Sequence, residues 1–378
     1  MVSVGGANSL GRYCMKPEAA FWVQTTKNQV RAQTVSHVLS QHLHEILPSE
    51  VDPKSYSLQV LQQGWYNLAI RASSAKFKDY VIRVQAVSDD FPTERSPFAK
   101  EVFLLQNLKD LFPVPVLPKN PSGVVTLGTI IGNCHFIVQE HVQNLPYKNP
   151  TQTTREQVTE TLAWYASQLH RFTLHGYGST FDEKNQNFSH PEWKDEVKGI
   201  IETLSDPILL KDSLFPASLI INSIKLVEEL EDIDAPPTLF HLDFLSNWSN
   251  VLFSRSGDIA ALIDWENAGS GLAFEREISS YIYCKFRDGE SREQIIFDIS
   301  LFLNAYGISE DEFYEKHYSI VRAFLVREAL LALRKYQQRK MDGILFREPW
   351  RKTFARRALC LLRWAQTGEL IEQLQDVA

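Results

Sequence analysis

Cysteine is scarce in this chain. Its 378 residues include four, Cys14, Cys134, Cys284 and Cys360, far apart and without a Cys-x-x-Cys pair. That spacing excludes a zinc ribbon and a dense disulfide framework, and it fits a reducing compartment. A basic excess is also lacking: 39 lysines and arginines face 46 aspartates and glutamates, for a formal charge of -7. A general nucleic-acid binder needs a basic face, so that class is set aside. No apolar run approaches the length of a membrane span. The richest, "AFLVREALLAL", is interrupted by Arg327 and Glu328 and reads as a buried amphipathic helix. The opening "MVSVGGANSLGRYCMK" has neither the basic start nor the continuous apolar core of a secretory signal. Internal repeats and low-complexity tracts are absent too. The expectation is a soluble, cytoplasmic protein with no membrane and no nucleic acid among its partners.

What is present is an ordinary globular composition, 44% hydrophobic and 22% charged, in a chain long enough for two packed lobes. Residues 1–27 show no period and read as an extension. From Asn28 to Leu47, Val30, Val35, Val38, Leu39, Leu43 and Ile46 recur at helical spacing until Pro48 stops them. Its histidines, His37, His42 and His44, do not share one face, which argues against a metal site. "YSLQVLQQGWYNLAIRA", "KDYVIRVQAV" and "GVVTLGTIIGNCHFIVQEHV" carry strand patterns, with one helix, "SPFAKEVFLLQNLKDLF", between them. After the Asn-, Pro- and Thr-rich "QNLPYKNPTQTT" the pattern turns helical, interrupted by one β-rich stretch. The spacing therefore predicts an α/β (α+β) chain with a small antiparallel β lobe over 28–141 and a larger, mostly helical lobe over 142–378.

The β-rich interruption holds the chemistry. Phosphoryl transfer asks the protein for positioned charge: metal ligands, a cation on the phosphates and a carboxylate at the acceptor hydroxyl. In "HLDFLSNWSNVLF", Asp243 suits the hydroxyl proton, His241 suits bracing the loop, and an asparagine oxygen suits magnesium. In "AALIDWENAG", Asp264 follows an apolar strand end and suits chelation of the same ions. Alone, a His-x-Asp arises by chance and Asp264 reads equally as a turn cap before Gly269. The two together, with a β-rich lobe before them, favour the catalytic interpretation.

These segments resemble the aminoglycoside phosphotransferase and choline kinase superfamily, relatives of the protein kinases. "GWYNLAIRASSAKFKDYVIRV" is similar to its nucleotide loop and following strand, and "YVIRV" with "HLDF" resembles hygromycin-type phosphotransferases. The resemblance runs from about Leu58 to Ile282 and implies a protein-kinase-like two-lobed fold whose first lobe binds nucleotide. It implies that Gly64 to Asn67 arches over the phosphates and that Arg83 takes the place of the usual lysine. It also implies Glu101, or failing that Glu94, as the partner of Arg83. Backbone around Gln139 to His141, centred on Glu140, would meet adenine. Asp243 and His241 would form the catalytic loop, and Asp264 with an asparagine would bind Mg2+. His170 matches a family position but reads more simply as a structural histidine.

One departure stands out in that loop. The family asparagine falls five residues after the catalytic aspartate, where this chain has Trp248; aligning "NVLF" to the family ending selects Asn250 and leaves Asn247 in a loop two residues longer. The resemblance implies transfer of the γ-phosphate of ATP or GTP to a hydroxyl of a small molecule. The acidic "VEELEDID" and Glu266, Glu275 and Glu277 point to a cationic acceptor such as an aminoglycoside, unless they are solvated faces. The alternatives are a metabolite kinase with a choline-, ethanolamine- or sugar-like acceptor, and a pseudokinase that only binds partners.

Overall fold

The computed structural model describes residues 25–63, 67–86, 96–127, 131–143, 152–210, 217–245, 248–254, 258–341 and 349–367. Gly64, Glu94, Asn247 and most of the 1–27 extension lie outside them. The first lobe is built on a five-stranded antiparallel sheet in the order β1-β2-β3-β5-β4. Its strands are β1 (Tyr56–Gln63), β2 (Leu68–Ser74), β3 (Tyr80–Ala86), β4 (Ser122–Thr126) and β5 (Asn133–Glu140). Alternation in β2 and β3 sends Leu68, Ile70, Ala72, Tyr80, Ile82 and Val84 to one face, where Ile70 lies opposite Ile82 and Leu68 opposite Val84. Helix α1 (Thr25–Gln41) closes that face with Val35 and Leu39. Each such aliphatic side chain contributes about 1.5–3 kcal/mol on full burial.

The single helix expected over 28–47 is two pieces. At His42 the backbone leaves helical geometry, with φ -108° and ψ 8°, and its ring nitrogen pairs with Glu45 at 2.6 Å before a short turn, Leu43–Ile46. Apolar spacing carries across such a break, because Leu43 and Ile46 still reach the same core.

Helix α2 (Ala99–Leu108) lies between the lobes. Its Leu104, Leu105 and Leu108 join the larger core, together with Phe112 and Val114. That core is assembled from α3 (Gln152–Leu169), α4 (Trp193–Leu204), α5 (Ala217–Glu228), α6 (Ala273–Asp288), α7 (Arg292–Tyr306), α8 (Tyr318–Met341) and α9 (Pro349–Thr367). Helix α8 carries "AFLVREALLAL" and buries Phe324, Leu325, Val326, Leu330 and Leu333 at its centre. Among the described residues no helix is long and apolar enough to cross a membrane. Cys134 and Cys360 are free thiols.

The helical lobe holds more β structure than its sequence suggests. A hairpin of β6 (Tyr177–Asp182) and β7 (Asn187–His190) joins β8 (Thr238–Phe240) and β11 (Gly269–Gly271) in a sheet ordered β7-β6-β11-β8. A separate pair, β9 (Val251–Phe253) and β10 (Ile259–Leu262), forms the short hairpin that the polar motifs flank. The strands "YGSTFD" and "NFSH" are too short and too polar to show alternation. Their one local signal is the turn, where Asp182 accepts from the amides of Lys184 and Asn185.

Gly176 opens that hairpin with φ +77°, and a Cβ there would lie 2.2 Å from the Phe188 carbonyl oxygen. Backbone cannot yield as a flexible side chain does. Gly176→Ala is expected to cost about 2 kcal/mol or more, read as a lower urea midpoint at unchanged slope. An unchanged midpoint would show that the hairpin adjusts freely.

Candidate active site

The His241–Asp243 segment leaves β8 through a left-handed residue. Leu242 has φ 72°, a costly conformation for a bulky side chain, and neighbours hold it there. Glu277, fully buried on α6, accepts from the amides of His241 at 2.6 Å and Leu242 at 2.9 Å with one oxygen. Ser280, one turn later, donates to the Leu242 carbonyl at 3.1 Å. Below the strand, the Arg276 guanidinium stacks 4.8 Å from the Phe240 ring.

His241 braces the loop from its other side. Its ring is fully buried, 4.5 Å from the Trp265 ring. Burial pushes its pKa down to about 4, so the imidazole is neutral. Nε2 donates to the Ile263 carbonyl at 3.1 Å, and Nδ1 accepts from the Asp243 amide at 3.3 Å. One neutral tautomer satisfies both bonds. The ring thus ties the backbone of Asp243 to the residue before Asp264. Asp243 receives the side-chain amide of Asn267. Burial raises the pKa of its carboxyl, the Asn267 bond lowers it, and the charges of Asp264 and Glu328 raise it further.

Asp264 ends the β9–β10 hairpin in left-handed geometry, φ 68° and ψ 59°. The main-chain carbonyl of Asn250, a buried residue in the short turn before β9, accepts from the Ile263 amide at 3.0 Å, so Asn250 and Ile263 border one another across the hairpin. From β3, Arg83 places one nitrogen 2.7 and 2.6 Å from the two Glu101 oxygens. Its other terminal nitrogen lies 3.2 Å from Asp264 and 3.8 Å from Glu266. Gln139 of β5 donates to Glu101 at 2.9 Å and fixes the carboxylate from behind. Burial and the neighbouring Asp264 push Glu266 up to about 7, while Arg83 pulls it down.

The structure therefore brings together Asp243, His241, Asn250, Asp264, Arg83 and Glu101. Other expectations fare differently. Asn67 stands half-buried at the start of β2. The side chain of Glu140 pairs with Lys78 at 2.7 Å, and the amides of Glu140 and His141 are committed to Val116 and Asp79 carbonyls at 2.8 Å. Glu275 and Glu277 do not line an acidic cleft: both are buried on α6, whose whole circumference packs, and Glu275 pairs with His317 at 2.7 Å. In "VEELEDID", Glu228, Glu229, Asp232 and Asp234 are solvated. His170 is structural, bonded to Tyr306 at 2.8 Å, with burial pushing its pKa down to about 3. Asn267 and Glu277 carry no signal in the sequence beyond their proximity to the Asp264 motif.

Among the described residues no three His, Cys, Asp or Glu side chains converge as a metal cage. The carboxylate of Asp264, with Asn250 on the neighbouring strand end and Glu266 beside it, is instead a sparse set of oxygen donors of the kind magnesium takes. That ion takes one or two carboxylates and completes its shell with phosphate and water.

The pH dependence of folding tests the burial of the Glu277 carboxyl, which outweighs its two amide bonds. Burial raises its pKa from the ordinary 4.5 to about 7. A raised folded-state pKa contributes stability that is full below about 4.5 and is lost as pH rises through about 7. Glutamine stays neutral and keeps an oxygen for both amides. The urea midpoint of Glu277→Gln is therefore expected to climb relative to the parent between pH 4.5 and about 7, then run parallel. A constant offset across that range would contradict burial as the dominant influence on this carboxyl.

Comparison with known proteins identifies the family and the fold. The profile of the phosphotransferase enzyme family matches residues 57–298, more than half of the chain. No curated protein sequence matches significantly. Among solved structures, aminoglycoside phosphotransferase APH(4)-Ia aligns with a TM-score of 0.61 and 18% identity over 88% of this chain and 99% of that one. Amicoumacin kinase hAmiN aligns with a TM-score of 0.57 and 16% identity over 90% and 96%. Spectinomycin phosphotransferase APH(9)-Ia aligns at 0.51 and 14% over 88% and 98%. At such identities the structural likeness speaks for the protein-kinase-like two-lobed fold. The family match, extending over both motifs and the lobe before them, shows that the chain belongs to the phosphotransferase enzyme family, within the aminoglycoside phosphotransferase and choline kinase superfamily.

Proposed function

We propose that the chain moves the γ-phosphate of ATP, or GTP, with magnesium, to a hydroxyl of a small molecule. The observation that carries this is the span of Arg83: one guanidinium joins Glu101 to Asp264, and Asp264 lies three residues before the Asn267 that holds Asp243. Cation, metal carboxylate and acceptor carboxylate thus sit on one connected frame. Arg83 is oriented by Glu101, and its other arm, which lies on Asp264 and Glu266, would meet the phosphates, whose oxygens suit a planar fork. Asp264 and Asn250 would hold magnesium, which when bound neutralises charge on the transferring group. Asp243, kept in place by His241 and Asn267, orients the acceptor hydroxyl and takes its proton.

APH(4)-Ia and APH(9)-Ia have been crystallised with hygromycin B and spectinomycin, and hAmiN with amicoumacin. An antibiotic acceptor is therefore the first class to test, with choline-like alcohols and sugars as the metabolite alternative. The pseudokinase alternative is disfavoured by the retained charges, since Arg83 and Glu101 are costly to bury without a task. A phosphate-release screen of those acceptors with ATP and GTP decides between the classes. In the active pair, Asp243→Asn is expected to lower kcat about 10²-fold or more, with nucleotide affinity close to the parent's. Near-normal turnover would remove Asp243 from the chemistry.

The metal ligands are separable by magnesium titration. Asp264→Ala should weaken magnesium-dependent ATP binding in calorimetry. Asn250→Ala should raise the magnesium requirement far more than Asn247→Ala, because Asn250 is anchored to Ile263 beside Asp264. The reverse order would mean that the loop register runs the other way, and no shift in either would favour a non-catalytic loop.

A further inference from the structure

Lys100 occupies an unfavourable place. It is the second residue of α2, where the positive end of the helix repels a cation, and it is half-buried. Burial lowers its pKa to about 8, with Glu266 and Glu101 opposing the shift. Its ammonium is met by two main-chain acceptors of the other lobe: it donates to the Ala268 carbonyl at 2.7 Å and to the Ser179 carbonyl at 3.0 Å. A methionine would fill the same space without the desolvation cost, so packing alone does not account for a lysine here.

What Lys100 grips is informative. Ala268 closes the turn that starts at Asp264 and contains Asn267, the residue bonded to Asp243. Ser179 lies on β6, whose Phe181 ring packs 5.1 Å from Phe103 of α2. The neighbouring residue on the helix, Glu101, holds Arg83. One turn of α2 therefore grips the phosphate cation on one side and the 264–268 segment on the other.

We infer that Lys100 is a positioning residue: by binding the Ala268 and Ser179 carbonyls it sets the 264–268 segment against α2, and so aligns Asp264 and Asn267 with Arg83. The inference rests on the phosphotransferase reading for its catalytic consequence, but not for the clamp itself. The ammonium of Lys100 is engaged by two main-chain carbonyls. Its loss should therefore act on the step that needs alignment more than on nucleotide capture.

Two measurements on the full chain with Lys100→Met test this. Steady-state kinetics should show kcat reduced about tenfold or more while KM for ATP changes by less than about threefold. Amide hydrogen exchange should be accelerated about tenfold or more across 264–271 and unchanged in β2 and β3, at a thermal midpoint near the parent's. The inference is overturned by exchange at 264–271 equal to the parent's, by kcat within about twofold of the parent's, or by exchange that rises uniformly over the molecule. Should Lys100→Met not fold, Lys100→Gln carries the same readouts; two unfolded variants would mark Lys100 as a folding residue and also overturn it. If the parent transfers no phosphate to any acceptor, the phosphotransferase reading fails, while the exchange difference still decides the clamp.

Discussion

A guanidinium taken out of water must be repaid at every donor it still has, and this constraint on Arg83 organises the interior between the lobes. Glu101 answers one arm with both of its oxygens, and Asp264 and Glu266 answer the other. Because removing either partner would strand a buried charge, helix α2, strand β3 and the Asp264 turn are obliged to meet. Gln139 extends the obligation to β5 by fixing Glu101. Lysine could satisfy the charge but not the two directions at once; its ammonium lacks the rigid fork.

A second constraint lies under the first. Two residues that are not glycine, Leu242 and Asp264, hold left-handed backbone on adjoining segments. Neither conformation is cheap, and each is over-determined from outside: Glu277 and Ser280 grip the first, while His241 bonds the residue just before the second. The neutral imidazole is what makes this economical. A protonated ring would offer Nδ1 as a donor to an amide that also donates, so the low pKa of His241 and the loop geometry require one another.

Much of this was legible in the sequence, for reasons that differ by residue. Asp264 announces itself by following an apolar strand end and Asp243 by its place in the His-x-Asp motif, whereas Arg83 and Glu101 stand out by resemblance to the family and by no period of their own. The β2 and β3 strands showed themselves by alternation. Glu277 looked like a surface acid because nothing local distinguishes a carboxylate that serves two distant amides from one that serves water. The β6–β7 hairpin was silent for a related reason: strands of six and four residues stabilised by a turn and by long-range pairing leave no period to read. The break at His42 was hidden because both halves of the helix feed one apolar face.

Helix α2 belongs by chain position to the first lobe, yet its leucines are sealed into the larger core. The mechanical division of the molecule therefore does not coincide with its division along the chain. Should the cleft widen to admit a nucleotide, the body that swings is the five-stranded sheet with α1, turning against a helix that stays behind. The pivot then runs along Arg83, whose ion pairs with Glu101 and Asp264 such a rotation would have to slide or break.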